Sequence, residues 1–278
     1  MDEMYQKFTI SKQESLRLSI ALEGFLREET GEETRATYRE YLRRRLQPAA
    51  AVLIEADDAA GLGRLAAERG LGVQSHLSEN LDEVAWVREL CPDCGRYWES
   101  YAKFGLWEGS VMAHCVHCDD RERAALREGR VLAVHCADSN TNLCSGVAPV
   151  RRLLEEGVQV ALGSDMAGGG QLSMWDVAAM SIRVSKQRTI HDPERPAFLT
   201  AAEAYYLGTS AGHRYFGAGP GFAPGDPLHA VVVDDRGFPP TPRELTLPER
   251  LERALYLTRK EHIRAVYSEG RRVLAAPL

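Results

Sequence analysis

The sequence predicts an α/β fold: an incomplete (β/α) TIM-type barrel made of the later strands, with a small C-terminal β-rich appendage. Three observations carry this. Short, wholly apolar runs alternate with helix-like segments. Polar residues sit at the carboxyl ends of successive runs, and beyond residue 215 the chain becomes rich in glycine and proline. Apolar runs without polar alternation are the pattern of strands buried on both faces, and such strands form parallel sheets covered by helices.

Taken in order, residues 1–50 read as helical. Leu16, Ile20, Leu22, Phe25 and Leu26 recur at helical intervals, and Thr34–Leu46 carries alternating charges, with Arg43, Arg44 and Arg45 on a solvated face. The strand candidates are Ala51–Ile54, Val73–Leu77, Val111–Cys115, Val131–Cys136 and Val158–Leu162. Between them lie the helix candidates Asp57–Arg69, Asn80–Leu90, Asp119–Glu128 and Ala148–Glu156. Helices around Ser173–Lys186 and Thr200–Gly212 follow, then strand-like His229–Asp235 and Ile263–Val273. The expected division is a partial barrel with a helical N-terminal segment over 1–215 and the appendage over 216–278. An open barrel has free strand edges, so residues 1–50 or a second subunit should cover one.

Composition narrows the function classes. With 278 residues, 44% hydrophobic and 27% charged, the chain is an ordinary globular protein. A net charge of −6 leaves no basic stripe for nucleic acid. The longest uninterrupted apolar stretch, Ala49–Ile54, is far short of the ~20 residues a membrane span needs. Met1-Asp2-Glu3-Met4 has neither the charge nor the apolar run of a secretory leader, so the expectation is a cytoplasmic protein with reduced cysteines.

The chemistry lies at the strand ends. The second strand candidate carries His76 near its end, with Glu79 three residues on. The next two end in His114 and His135, and the last runs into Gly163-Ser164-Asp165. In a parallel barrel these ends converge on one face. Imidazoles and carboxylates at such a mouth are the ligand types of a hydrolytic zinc site, and Glu79 is a carboxylate placed to shuttle protons. A single buried histidine such as His135 is ordinarily a hydrogen-bonded core residue. Gly168-Gly169-Gly170 lacks the Lys-Ser/Thr of a phosphate loop and reads as a tight turn. Cys91-x-x-Cys94 and Cys115-x-x-Cys118 have the spacing of a four-cysteine zinc module, a rival reading.

These segments resemble the guanine deaminases of the amidohydrolase superfamily. Gln74-Ser75-His76-Leu77-Ser78-Glu79-Asn80 with Glu83 is similar to that family's His-x-x-Glu signature. Val134-His135-Cys136-Ala137-Asp138-Ser139-Asn140 resembles its His-Cys-Pro-x-Ser-Asn stretch, with Ala137 in place of the proline. Ala113-His114-Cys115 and Leu162-Gly163-Ser164-Asp165 fit neighbouring strands. The resemblance implies zinc held by His76 and Asp165 and a ring nitrogen protonated by Glu79. It also implies Asp165 taking a proton from the attacking water, with His114, Ser139 and Asn140 at the substrate. The implied reaction removes the amino group of guanine hydrolytically to give xanthine and ammonia, in a homodimer.

Two departures accompany the matches. No His-x-His pair occurs in the chain, although the family takes two zinc ligands from one. Pro48-Ala49-Ala50 also stands where the family has Pro-Arg-Phe against the purine. The chain therefore reads as an N-terminally truncated or divergent copy of doubtful activity. The alternatives are an inactive paralogue that serves as a binding or scaffold protein, or a deaminase of another aminopurine or a pterin.

Overall fold

The computed structural model describes residues 51–53, 59–217, 222 and 224–275. The chain divides into two compact units, residues 1–50 and 51–278, and every described residue lies in the second. The helical reading of 1–50, its arginine run, Pro48–Ala50 and the cover for the sheet edge fall outside the described residues.

Strands β1 (Ala51–Leu53), β2 (Gly72–Leu77), β3 (Val111–His114), β4 (Leu132–His135) and β5 (Gln159–Leu162) form one parallel sheet in sequence order. In each of β3, β4 and β5, three of four residues are buried, which is why these strands read as unbroken apolar runs. Leu77 pairs with His114 and His135 with Leu162. That register lines the carboxyl ends along one rim. The crossovers carry helices α1 (Ala59–Arg69), α2 (Leu81–Leu90), α3 (Glu99–Ala102), α4 (Asp120–Glu128), α5 (Ala137–Asn142) and α6 (Val150–Glu155). Leu77, Met112, Leu126, Leu153 and Val177 are buried in the core between sheet and helices.

Helix α2 starts where it does because Asn80 and Glu83 form a reciprocal capping box. Asp119 caps α4 by accepting from the backbone N–H groups of Arg121 and Glu122. After β5 come α7 (Met174–His191), α8 (Ala201–Leu207) and α9 (Ser210–Tyr215). Helix α7 outruns its expected end at Lys186 and stops before Asp192-Pro193, where the proline disfavours helix at the preceding residue. The single helix expected over Thr200–Gly212 is two, parted at Gly208 and Thr209.

The C-terminal region is an antiparallel sheet of β6 (Ala230–Val233), β7 (Ile263–Ser268) and β8 (Arg271–Ala275). The one strand expected over Ile263–Val273 is a hairpin, because Glu269 and Gly270 both take positive φ, as a tight turn requires. Helix α10 (Leu247–Leu257) was not expected in a β-rich segment. Its start is encoded by Thr246 and Glu249, whose carboxylate accepts from the Thr246 N–H and hydroxyl at 2.9 Å each. Its Leu255 is buried in the same core as the parallel sheet.

A bidentate ion pair ties α6 to α8. Both terminal nitrogens of Arg151 donate to Glu203 at 2.9 Å, and Arg151 also donates to the carbonyls of Ala197 and Phe198. Arg151 lowers the Glu203 pKa from 4.5 to about 2, with the Thr200 cap contributing. A carboxyl depressed in the folded state stabilises above its unfolded pKa and loses that contribution as pH falls through the folded value. Glu203→Gln should therefore cost on the order of 1 kcal/mol near neutral pH, after discounting for solvent screening. Thermal melts should show the gap to wild type closing from pH 4.5 towards 2.

Candidate active site

The rim residues sit where the backbone leaves the strands. Ser78 (φ 47°), His114 (φ 73°) and Asp165 (φ 44°) all occupy the left-handed region, which is costly for residues with a Cβ and clusters at functional sites. Each turns the chain sharply at the end of β2, β3 or β5. Gly163 permits the last of these exits, since a Cβ there would lie 2.6 Å from Val134 Cγ1.

Glu79 is fixed at both ends. Its backbone N–H donates to Glu83 Oε2 at 2.7 Å, and Glu83 is itself held by the Tyr97 hydroxyl at 2.7 Å. Its Oε1 accepts from Ser145 Oγ at 2.8 Å, and the Ser145 carbonyl is gripped by His117 Nε2 at 2.8 Å. The other carboxylate oxygen, Oε2, stands 3.6 Å from His114 Nε2.

His114 is the hub. Its side chain is buried, Nδ1 faces Asn140 Oδ1 at 2.8 Å, and its ring meets that of His76 edge-on at 4.7 Å between centroids. Since the amide oxygen accepts, Nδ1 carries the proton and Nε2 presents a lone pair. That Nε2 is buried and has no hydrogen-bond partner among the described residues. Among the described residues, two groups bring possible ligand atoms within 4.8 Å of one another, and both contain His114: His76–Glu79–His114 and His114–Cys136–Asp165. A buried, unpaired imidazole nitrogen between carboxylates suits a divalent cation, with Asn140 holding the ring as metal-ligating histidines usually require.

His76 is exposed at the rim, its carbonyl accepting from the Tyr101 hydroxyl at 2.8 Å. Gly168 is required beside Asp165, because a Cβ there would lie 2.8 Å from Asp165 Oδ2. Gly169 N–H donates to the Asp165 carbonyl and Gly170 N–H to Asp138 Oδ2, so the glycine triplet is a tight turn. Ser139 is buried, its hydroxyl donating to the Cys136 carbonyl at 3.2 Å. His135 is buried outside both groups, and burial, with the nearby His114, lowers its pKa to about 4.

Sequence reasoning missed two participants. Cys136 enters the second group, and burial followed by the Asp165 charge pushes its thiol to about 12. Ser145 reaches Glu79 across the fold. The four-cysteine module does not assemble among the described residues. Cys115 and Cys118 are buried, while Cys91 and Cys94 line a separate cavity with Tyr97 and His117, and no described donor group contains any of them.

Residues 13–273 match the amidohydrolase family. The chain is 33% identical over 220 residues to guanine deaminase of Dictyostelium discoideum, covering 76% of this chain and 48% of that protein. It is 31% identical over 225 residues to human guanine deaminase, covering 77% of this chain and 49% of that protein. A crystal structure of guanine deaminase from C. acetobutylicum with guanine bound superposes with a TM-score of 0.74 at 39% identity, over 78% of this chain and 52% of that one. The chain thus spans about half the length of these relatives. With a parallel sheet, a histidine-centred rim and a match that runs nearly end to end, the chain belongs to the amidohydrolase family.

Proposed function

We propose that the chain takes part in zinc-dependent hydrolytic deamination of guanine to xanthine and ammonia. The observation that carries this is His114, a buried imidazole whose Nε2 has no hydrogen-bond partner among the described residues and which belongs to both donor groups. The guanine deaminases among the relatives, and the guanine bound to the C. acetobutylicum protein, supply the substrate.

His76, His114 and Asp165 would hold the zinc ion. When bound, the ion supplies Lewis-acid activation of water at neutral pH. Asp165 accepts a proton from the attacking water as its oxygen bonds to the purine carbon bearing the amino group. Glu79, held by Ser145, delivers a proton to the adjacent ring nitrogen. The carbon–nitrogen bond then breaks with the proton taken from water leaving on ammonia, and the remaining hydroxyl proton returns to Glu79 as the new carbonyl of xanthine forms. Asn140 keeps the His114 ring in register, a positioning role more in keeping with its buried amide than direct contact with the base. A cytoplasmic homodimer belongs to the same reading.

The missing His-x-His pair and Ala49-Ala50 lower both metal affinity and purine binding, so the 278-residue chain alone should hold less than one equivalent of zinc as purified and turn over slowly. The test is xanthine and ammonia formation by zinc-supplemented protein, offered guanine, other aminopurines and pterins in parallel. Slow, chelator-sensitive conversion of guanine is expected. Zinc-loaded protein that converts none of these substrates would overturn the proposal in favour of a binding or scaffold role.

A further inference from the structure

Cys136 has no place in the reaction outlined above, yet its thiol lies with His114 and Asp165 in a group whose ligand atoms are all within 4.8 Å of one another. We propose that Cys136 is a sulfur ligand of the zinc ion, making with His114 and Asp165 a mixed N, S, O set. The proposal rests on reading the rim as a metal centre and supplies a donor where the chain lacks a His-x-His pair.

Four features support it. Donors on one tetrahedral zinc stand about 3.6 Å apart, given metal–ligand lengths of ~2.0–2.3 Å, so the group needs only a small inward movement of side chains. His114 Nε2 has no hydrogen-bond partner among the described residues, and Asn140 fixes the ring that carries it. Cys136 is 2% exposed, and its thiol donates at 3.6 Å to the Val134 carbonyl, a weak bond that a metal can replace. Charge also balances within the donor set, since one thiolate and one carboxylate neutralise a divalent ion. Zinc accepts thiolate, imidazole and carboxylate together. Binding replaces the thiol proton, which is released to solvent.

Gly163 faces Cys136, where a Cβ would approach the sulfur to 3.3 Å, so a larger residue would crowd the thiol.

The experiment is Co2+ substitution in the full chain, read by absorption. A thiolate ligand gives a sulfur-to-cobalt charge-transfer band in the near ultraviolet, which nitrogen and oxygen ligands do not. Wild type should show the band. Cys136→Ser should lose it and bind Zn2+ at least tenfold more weakly in competition with a chromophoric chelator. If circular dichroism shows Cys136→Ser to be unfolded, the variant with Cys91, Cys94, Cys115, Cys118 and Cys144 replaced by alanine decides, since Cys136 is then the sole thiol and the band must persist there. Co2+ bound without the band, or a band that survives Cys136→Ser, overturns the sulfur ligand and leaves the deaminase proposal standing. Absence of any metal binding overturns both.

Discussion

Glu79→Gln should lower guanine-dependent ammonia release by ~10²–10⁴-fold, the range that removing a positioned general acid or base produces. The substitution is nearly isosteric. The Gln side-chain oxygen can still accept from Ser145 Oγ, which holds the carboxylate at 2.8 Å in the native chain. The backbone anchor from residue 79 to Glu83 is untouched. What disappears is a group able to exchange a proton 3.6 Å from His114 Nε2. The loss should therefore fall on kcat, with zinc content and thermal stability close to wild type. A variant that kept wild-type turnover would show that another group delivers the proton.

His114→Ala should have the larger effect on metal. His114 belongs to both donor groups, so its removal dismantles both at once. Loss of groups that merely support a ligand costs ~10–100-fold in affinity, and loss of the shared ligand should exceed that. The variant should also be less stable by about 2–4 kcal/mol, because it opens a buried space and leaves the Asn140 side-chain oxygen unpaired. His114→Gln separates the two effects by refilling the space while still removing the imidazole. It should recover most of the stability and little of the zinc affinity.

Much of this arrangement was legible in the chain. Strand after strand ends in a polar residue, and a parallel sheet in sequence order must place those ends on one rim. His76, Glu79, His114 and Asp165 could be picked out for that reason. Other features depend on contacts between distant residues. Ser145 meets Glu79 across 66 positions, with no local pattern to announce it. Cys136 lies in an apolar string beside His135, where a cysteine has the sequence pattern of a small core residue rather than of a donor. The left-handed turns at His114 and Asp165 were hidden as well, because glycine, the usual marker of positive φ, is absent from those positions. Helix α10 is a different case. Thr246, Pro248 and Glu249 are ordinary signals of a helix start, and they were obscured by the turn-rich composition around them.

The central claim is that a metal centre forms around His114, and anomalous diffraction at the zinc edge from zinc-supplemented crystals tests it most directly. One strong peak is expected within coordination distance of His114 Nε2, shared with Asp165. A peak instead at Cys91, Cys94, Cys115 or Cys118, or zinc in solution with none ordered beside His114, would contradict it.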